Sequence, residues 1–349
     1  MFAYRTQNGI PIWVGQNEPD DKTGSGSEEG TTMCQGEPLG LRAHSGDARL
    51  LARLHAPAPG PAGTGPYGFR GTGAVHSAFT HVVNLLTPDG LLIALASRDA
   101  GDAPRTLVVD VPDWTGTGLD AGHSVMFDTG RLILDAPGRP LHLTAEGARP
   151  WDPAGPSLAH LAPGALARAA DALDAYNRAH GAPGGMLGAA PGAGLMESAV
   201  ARALDAGRVR LLDALRAGDA VETVHGILAL HGLGPGLTPA GDDFLAGLTL
   251  VAALPGSALA PLPLAVRTVL DGHRGRTTDL AAATLTEAAE GRARAELIDV
   301  LRQLADSPPP WDLNDPARRV LAFGHTSGSD TLSGLVAGLH LEEELRGSL

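Results

Sequence analysis

The chain is almost without cysteine, lysine and aromatic residues: Cys34 and Lys22 stand alone, and aromatic side chains make up 4% of 349 residues. A single cysteine forms neither an internal disulfide nor a cysteine-rich metal site, and fits a reducing cytoplasm. With Lys22 isolated among acids and glycines, Schiff-base chemistry and a phosphate-loop lysine are both excluded. Any anion must be held by arginine, backbone N–H groups, hydroxyls or a metal ion. Long apolar runs are missing too. The best, Phe244–Leu254, stops at Pro255, short of the ~18–20 residues a membrane helix needs. Basic charge is scarce, with 26 basic residues against 39 acidic, a net charge of −13. That balance argues against unaided binding of nucleic acid or an anionic membrane. Met1–Pro11 has no apolar core of the kind a secretory signal carries.

Glycine (47) and proline (27) are plentiful and divide the chain. Residues 1–35 are expected to be a disordered tail, because Glu18–Gly30 (EPDDKTGSGSEEG) offers no apolar surface; Met33 is an alternative start. From 39 to 150 the pattern is β. Val75–Leu86 and Leu91–Ala96 flank the turn Thr87-Pro88-Asp89-Gly90, and Val125–Phe127 and Leu132–Leu134 flank Asp128-Thr129-Gly130. A Pro/Gly-rich loop is expected over 56–73. Beyond a break at Arg149–Ser157, residues 157–349 read as helical. Helices are predicted at Pro163–Arg178, Met196–Arg216, Ala220–His231, Asp242–Leu254, Leu262–Asp271, Thr278–Gly291, Ala293–Ala305, Pro316–Phe323 and Asp330–Arg346. The expected fold class is α+β: a β-rich N-terminal domain, as an antiparallel sheet or small barrel, followed by an all-helical C-terminal domain.

The helical part contains an internal echo. Ala240–Leu248 (AGDDFLAGL) and Ser327–Leu335 (SGSDTLSGL) share Gly, Asp, Leu, Gly and Leu in register, each with a Gly-x-Thr just upstream. Thr238-Pro239 suits a helix start, as does Ser327 or Ser329 in the second copy. Asp243 and Asp330 then fall in first turns, where the helix dipole favours a carboxylate. Gly247 and Gly334 lie one turn on and let another backbone come close. Good helix caps account for the acids and the notches. They do not account for Gly232, Gly234 and Gly236, each an entropic cost on folding. A glycine-rich turn feeding a helix N-terminus is an anion site. If the copies are equivalent, the two helices cross closely and Asp243, Asp330, His325 and the Gly234–Thr238 amides surround one cleft.

GLGPGLTPAGDDFLAG (residues 232–247) with the late GHTSGSD (324–330) resembles a bacterial family, one branch of which is a subunit of oxamate carbamoyltransferase in anaerobic allantoin catabolism. The likeness extends to Val75–Phe79 with Asn84-Leu85 and to Thr277–Gly291, and covers about residues 70–345. It implies the reaction of oxalurate and phosphate to oxamate and carbamoyl phosphate, in a hetero-oligomer with two other subunits. The Ser-Thr-Arg-Thr phosphate loop of aspartate and ornithine carbamoyltransferases is absent, Arg276-Thr277-Thr278 being only a partial echo.

That chemistry needs donors for phosphate, a polarised carbonyl and a proton for the departing nitrogen. The candidates for phosphate and substrate are Gly234, Gly236, Thr238, Gly241, Thr326 and Ser327. Arg274 and Arg276 are candidate carboxylate clamps, with His76 and Ser77 as further substrate contacts. His325, Asp243 and Asp330 are the catalytic candidates. Asp242, Asp243 and Asp330 are the candidate ligands if a divalent cation such as Mg²⁺ takes part; no cofactor is otherwise indicated. Two other readings stay open at this point: a non-catalytic scaffold or regulatory subunit, and a stand-alone metal-dependent amide hydrolase.

Overall fold

The computed structural model describes residues 2–7, 10–15, 37–57 and 68–347. In the segment expected to be disordered, β1 (Phe2–Gln7) and β2 (Ile10–Gly15) pair as an antiparallel ribbon of their own. The rest of that expectation, with Lys22, Met33 and Cys34, lies outside the described residues. So does most of the loop expected over 56–73.

Eight strands close into a barrel: β3 (Leu39–Asp47), β4 (Gly71–Ala78), β5 (Val82–Leu86), β6 (Leu92–Ala96), β7 (Thr106–Val109), β8 (Ser124–Asp128), β9 (Arg131–Leu134) and β10 (Leu141–Thr144). Their order is β10-β9-β8-β4-β5-β6-β7-β3, and β10 pairs back onto β3. β11 (Arg149–Trp151) extends that edge of β3. Neighbours within the barrel are antiparallel except β6–β7 and the closing pair β3–β10. Alternation drives the packing: on β8 and β9, Val125, Phe127, Leu132 and Leu134 face inward between exposed neighbours.

Two local expectations are corrected. The run Val75–Leu86 is not one strand. It breaks at Phe79–His81, where Phe79 N–H donates to Val82 O at 2.8 Å, because Thr80 and His81 interrupt the apolar alternation. The second hairpin arm, β5 to β6 through Thr87–Gly90, forms as expected, with Gly90 at φ +80°. The N-terminal region also holds a helix, α1 (Ala48–His55), capped by the Asp47 carboxylate and burying Leu50, Leu51 and Leu54. Its i, i+1, i+4 leucines follow helical spacing inside an otherwise β pattern.

The helices are α2 (Ala165–His180), α3 (Leu195–Ala217), α4 (Ala220–Leu230), α5 (Ala240–Ala252), α6 (Leu262–His273), α7 (Asp279–Ala288), α8 (Ala295–Asp306), α9 (Asn314–Leu321) and α10 (Ser327–Arg346). Each predicted helix is present. Every residue of α5 is buried, so it forms the centre of the helical core, with α10 packed along it. Barrel and helices bury separate apolar cores yet pack as one unit over residues 36–349. No helix among the described residues is long and apolar enough to cross a membrane.

Candidate functional site

The helical core is organised by the crossing of α5 and α10. A Cβ placed on Gly247 would overlap the Thr331 carbonyl and crowd Leu335 N; one on Gly334 would overlap the Phe244 carbonyl and crowd Leu248 N. The two contacts are reciprocal at one constant offset, the signature of a two-fold relation. The preceding helices repeat the pattern, with Gly241 seated on the Leu230 carbonyl of α4 and Gly328 on the Val320 carbonyl of α9. The sequence echo is therefore a structural repeat, α4–α5 against α9–α10. Gly241 sits at this packing contact, and its N–H donates to the Leu233 carbonyl at 2.9 Å.

Because the helices cross near their N-termini, the loops feeding them meet. Thr238 Oγ1 lies 2.7 Å from Ser327 Oγ, one hydroxyl from each copy. Gly234 has φ +123° and no room for a side chain, since a Cβ would come 2.7 Å from Ala240 N. This folds the first loop back over the start of α5. Among the described residues, no acceptor is bonded to the N–H of Gly234, Gly236, Leu237 or Thr238, nor to that of Gly324, His325 or Thr326. Two rows of unpaired amides at helix N-termini favour an anion.

The repeat also equates Asp243 with Asp330, and their surroundings differ in an informative way. Burial, aided by the charges of Asp330 and Asp242, pushes Asp243 up to about 8, against hydrogen bonds from Ser327 and Thr238 that pull it down. Its Oδ2 is buried with no partner. At about pH 7 this carboxyl therefore holds its proton. Burial raises Asp330 to about 6, opposed by the Met186 amide and by Thr326. Asp330, however, is covered: Met186 N–H donates to Oδ1 at 2.6 Å, and Gly185, at φ +52°, leaves no space for a Cβ over the carboxylate. Asp243 lines the cleft described below; Asp330 does not. Asp242 faces elsewhere again, accepting from His231 Nδ1 (2.8 Å), Gly232 N–H (3.1 Å) and Thr277 Oγ1 (2.5 Å). It pins the start of the glycine-rich loop. The three carboxylates do not converge as a ligand set, and no metal-holding group of three or more His, Cys, Asp or Glu occurs among the described residues.

The meeting loops form one wall of a cleft of about 1530 Å³ between helices and barrel. Gly234, Gly236, Thr238, Asp243, His325, Thr326 and Ser327 all line it. His325 is exposed there. Arg274 and Arg276 are not brought to it; they are exposed on a short turn after α6, outside the cleft. His76 and Ser77 stay outside as well. His76 Nε2 reaches Asp279 at the start of α7 (3.3 Å) and so ties barrel to helices, whereas Ser77 accepts from Asn84 (3.0 Å) within the barrel.

The arginines on the cleft are Arg105, Arg292 and Arg294, which spacing along the chain did not single out. Arg292, 3% exposed, reaches Asp47 (2.5 Å) and Glu287 (2.7 Å), while Arg105 Nε donates to Glu287 (2.5 Å). This quartet joins barrel and helices across a buried seam. Its only local signal is Gly291-Arg292-Ala293-Arg294 at the end of α7; the partners lie too far along the chain to pair by pattern.

A family model described as oxamate carbamoyltransferase subunit AllH matches residues 230–339, the stretch from the end of α4 into α10 that holds both loops and the crossing. A second, described as the AllH family N-terminal domain, matches residues 42–150, which cover the barrel. No solved structure matches the chain. With barrel and helical core both matched, the chain belongs to the AllH family, whose model is named for a subunit of oxamate carbamoyltransferase.

Proposed function

We propose that this chain is a subunit of a carbamoyl-transferring enzyme of the oxamate carbamoyltransferase type, and that the cleft is where oxalurate and phosphate become oxamate and carbamoyl phosphate. The family match supports the enzyme class. The observation that carries the site is the meeting of two unpaired amide rows over a protonated Asp243, joined by the Thr238–Ser327 contact. A phosphate oxygen attacks the carbamoyl carbon, the carbon–nitrogen bond to the oxamate part breaks, and that nitrogen takes a proton. The Gly234–Thr238 and Gly324–Thr326 amides hold the phosphate and the developing oxyanion. Asp243 supplies the proton, since burial keeps it neutral at about pH 7. His325, exposed on the same wall, is the second proton carrier. Asp330 acts from beneath, its charge helping to keep Asp243 protonated. Two other subunits complete the enzyme in this reading, which places the complex in purine and ureide catabolism, in the cytoplasm.

The test is turnover of the assembled enzyme carrying Asp243→Asn. General acid catalysis is worth about 10²- to 10⁴-fold, and a loss in that range with assembly intact is expected. Unchanged turnover would remove the cleft from the chemistry.

A further inference from the structure

We propose that Arg105 is a carboxylate-binding residue of the cleft, holding the acid end of a short substrate whose carboxylate sits next to a carbonyl. This rests on the reading of the cleft above and extends it to the barrel wall.

Among the described residues, Arg105 is the one non-glycine residue at positive φ, +52°. A bulky side chain in that region costs energy, and such strain persists where the surroundings enforce it, commonly at binding sites. The enforcement is visible here. The Arg105 backbone N–H donates to Asp47 Oδ2 at 2.7 Å, and its guanidinium Nε donates to Glu287 Oε1 at 2.5 Å. Arg292 pairs with both acids, at 2.5 and 2.7 Å. Main chain and side chain of Arg105 are thus fixed by two different buried carboxylates.

This arrangement leaves one side of the guanidinium available. With Nε engaged, the two terminal nitrogens of Arg105 have no acceptor among the described residues. The quartet is graded in exposure: Asp47 1%, Arg292 3% and Glu287 10%, against 21% for Arg105. Asp47 lies away from the cleft, while Glu287, Arg292 and Arg105 all line it, Arg105 being the most exposed of the four. Two acids and two arginines balance formally, so the site needs no anion to be stable, yet it presents fixed donors. A planar fork with its orientation preset matches a carboxylate, which accepts two parallel N–H bonds. The other arginines of the cleft are engaged: Arg294 pairs with Glu296 (2.7 Å), donates to the Ala100 carbonyl (3.2 Å) and stacks 4.2 Å over the Phe323 ring. Arg105 stands on the barrel wall and the amide loops on the helical wall, so a ligand with an acid at one end and a reacting carbamoyl group at the other spans the two.

The experiment is equilibrium titration of the full chain with oxamate, with oxamide as the neutral counterpart, and with inorganic phosphate. It compares wild type with Arg105→Asn, since asparagine accepts positive φ, and with Arg105→Lys, which keeps the charge but not the fork. Wild type binds oxamate more tightly than oxamide. Arg105→Asn weakens oxamate by about 10- to 100-fold, the worth of a charged hydrogen-bonded pair, while oxamide and phosphate affinities stay within about twofold. Arg105→Lys falls between. Unchanged oxamate affinity in Arg105→Asn overturns the proposal, as does an equal loss for all three ligands, which marks a merely structural role. Wild-type binding of phosphate with no preference for oxamate over oxamide overturns it while leaving the phosphate site intact. Binding of neither anion defeats the reading of the cleft itself, and this inference with it.

Discussion

Gly247 and Gly334 are counterparts: each occupies the point where its helix touches the backbone of the other, Gly247 at Thr331 and Leu335, Gly334 at Phe244 and Leu248. No side chain fits between, so α5 and α10 cross with main chain against main chain. The crossing brings the two N-terminal loops together and so makes the site. Packing and the proposed site share one cause.

Gly247→Ala and Gly334→Ala should each therefore destabilise the fold. The added methyl meets a carbonyl rather than a mobile side-chain end, so relief requires the helices to separate. Overpacking a tight core costs about 1–3 kcal/mol, occasionally more. Denaturant unfolding should show a loss at or above the upper end for both variants, whereas Gly272→Ala, with nothing within 4 Å, should be nearly silent.

Asp243 makes stability depend on pH with a definite sign. Its carboxyl is pushed up to about 8 from an ordinary 3.8, so the folded state binds this proton more tightly than the unfolded chain does. Stability from this group is fully present below about pH 4 and is lost as pH rises towards about 8. Asp243→Asn removes that slope. Melting curves should show the variant gaining on wild type between about pH 4 and pH 8 and levelling off above that; a difference that is flat with pH would mean Asp243 is ionised throughout.

The buried seam between barrel and helices makes a second stability prediction. Asp47→Asn leaves Arg292, 3% exposed, facing a neutral amide and weakens the anchor of the Arg105 backbone. Breaking a buried pair from one side costs about 3–5 kcal/mol. Denaturation monitored separately at Trp114 in the barrel core and at Trp311 beside the helical core should show a loss of this size. A change below about 1 kcal/mol would place the seam at the level of surface pairs.

Much of this was legible in the chain because its signals are local. Helix periodicity, the Thr87–Gly90 turn and the glycine spacing of the repeat all act over a few residues, and each predicted helix and the notched crossing are present. What stayed hidden depends on distant partners. Arg105 owes its place to Asp47 and Glu287, 58 and 182 positions away. Asp243 and Asp330 look alike in sequence, yet Gly185 and Met186, from the connection between α2 and α3, cover only Asp330. Arg274 and Arg276, the candidate carboxylate clamps, sit beside Thr277 and Thr278. Those hydroxyls turn instead to Asp242 and the Leu237 carbonyl, and the arginines stay outside the cleft.

The two glycine-rich loops are proposed to form one anion site rather than two helix caps, and titration of the isotopically labelled full chain with inorganic phosphate, followed at the backbone amide resonances, separates the two. For one site, Gly234, Gly236, Leu237 and Thr238 shift together with Gly324, His325 and Thr326, all along one binding curve with one dissociation constant. Shifts confined to one loop, two distinct curves, or no response from either loop would rule a shared site out.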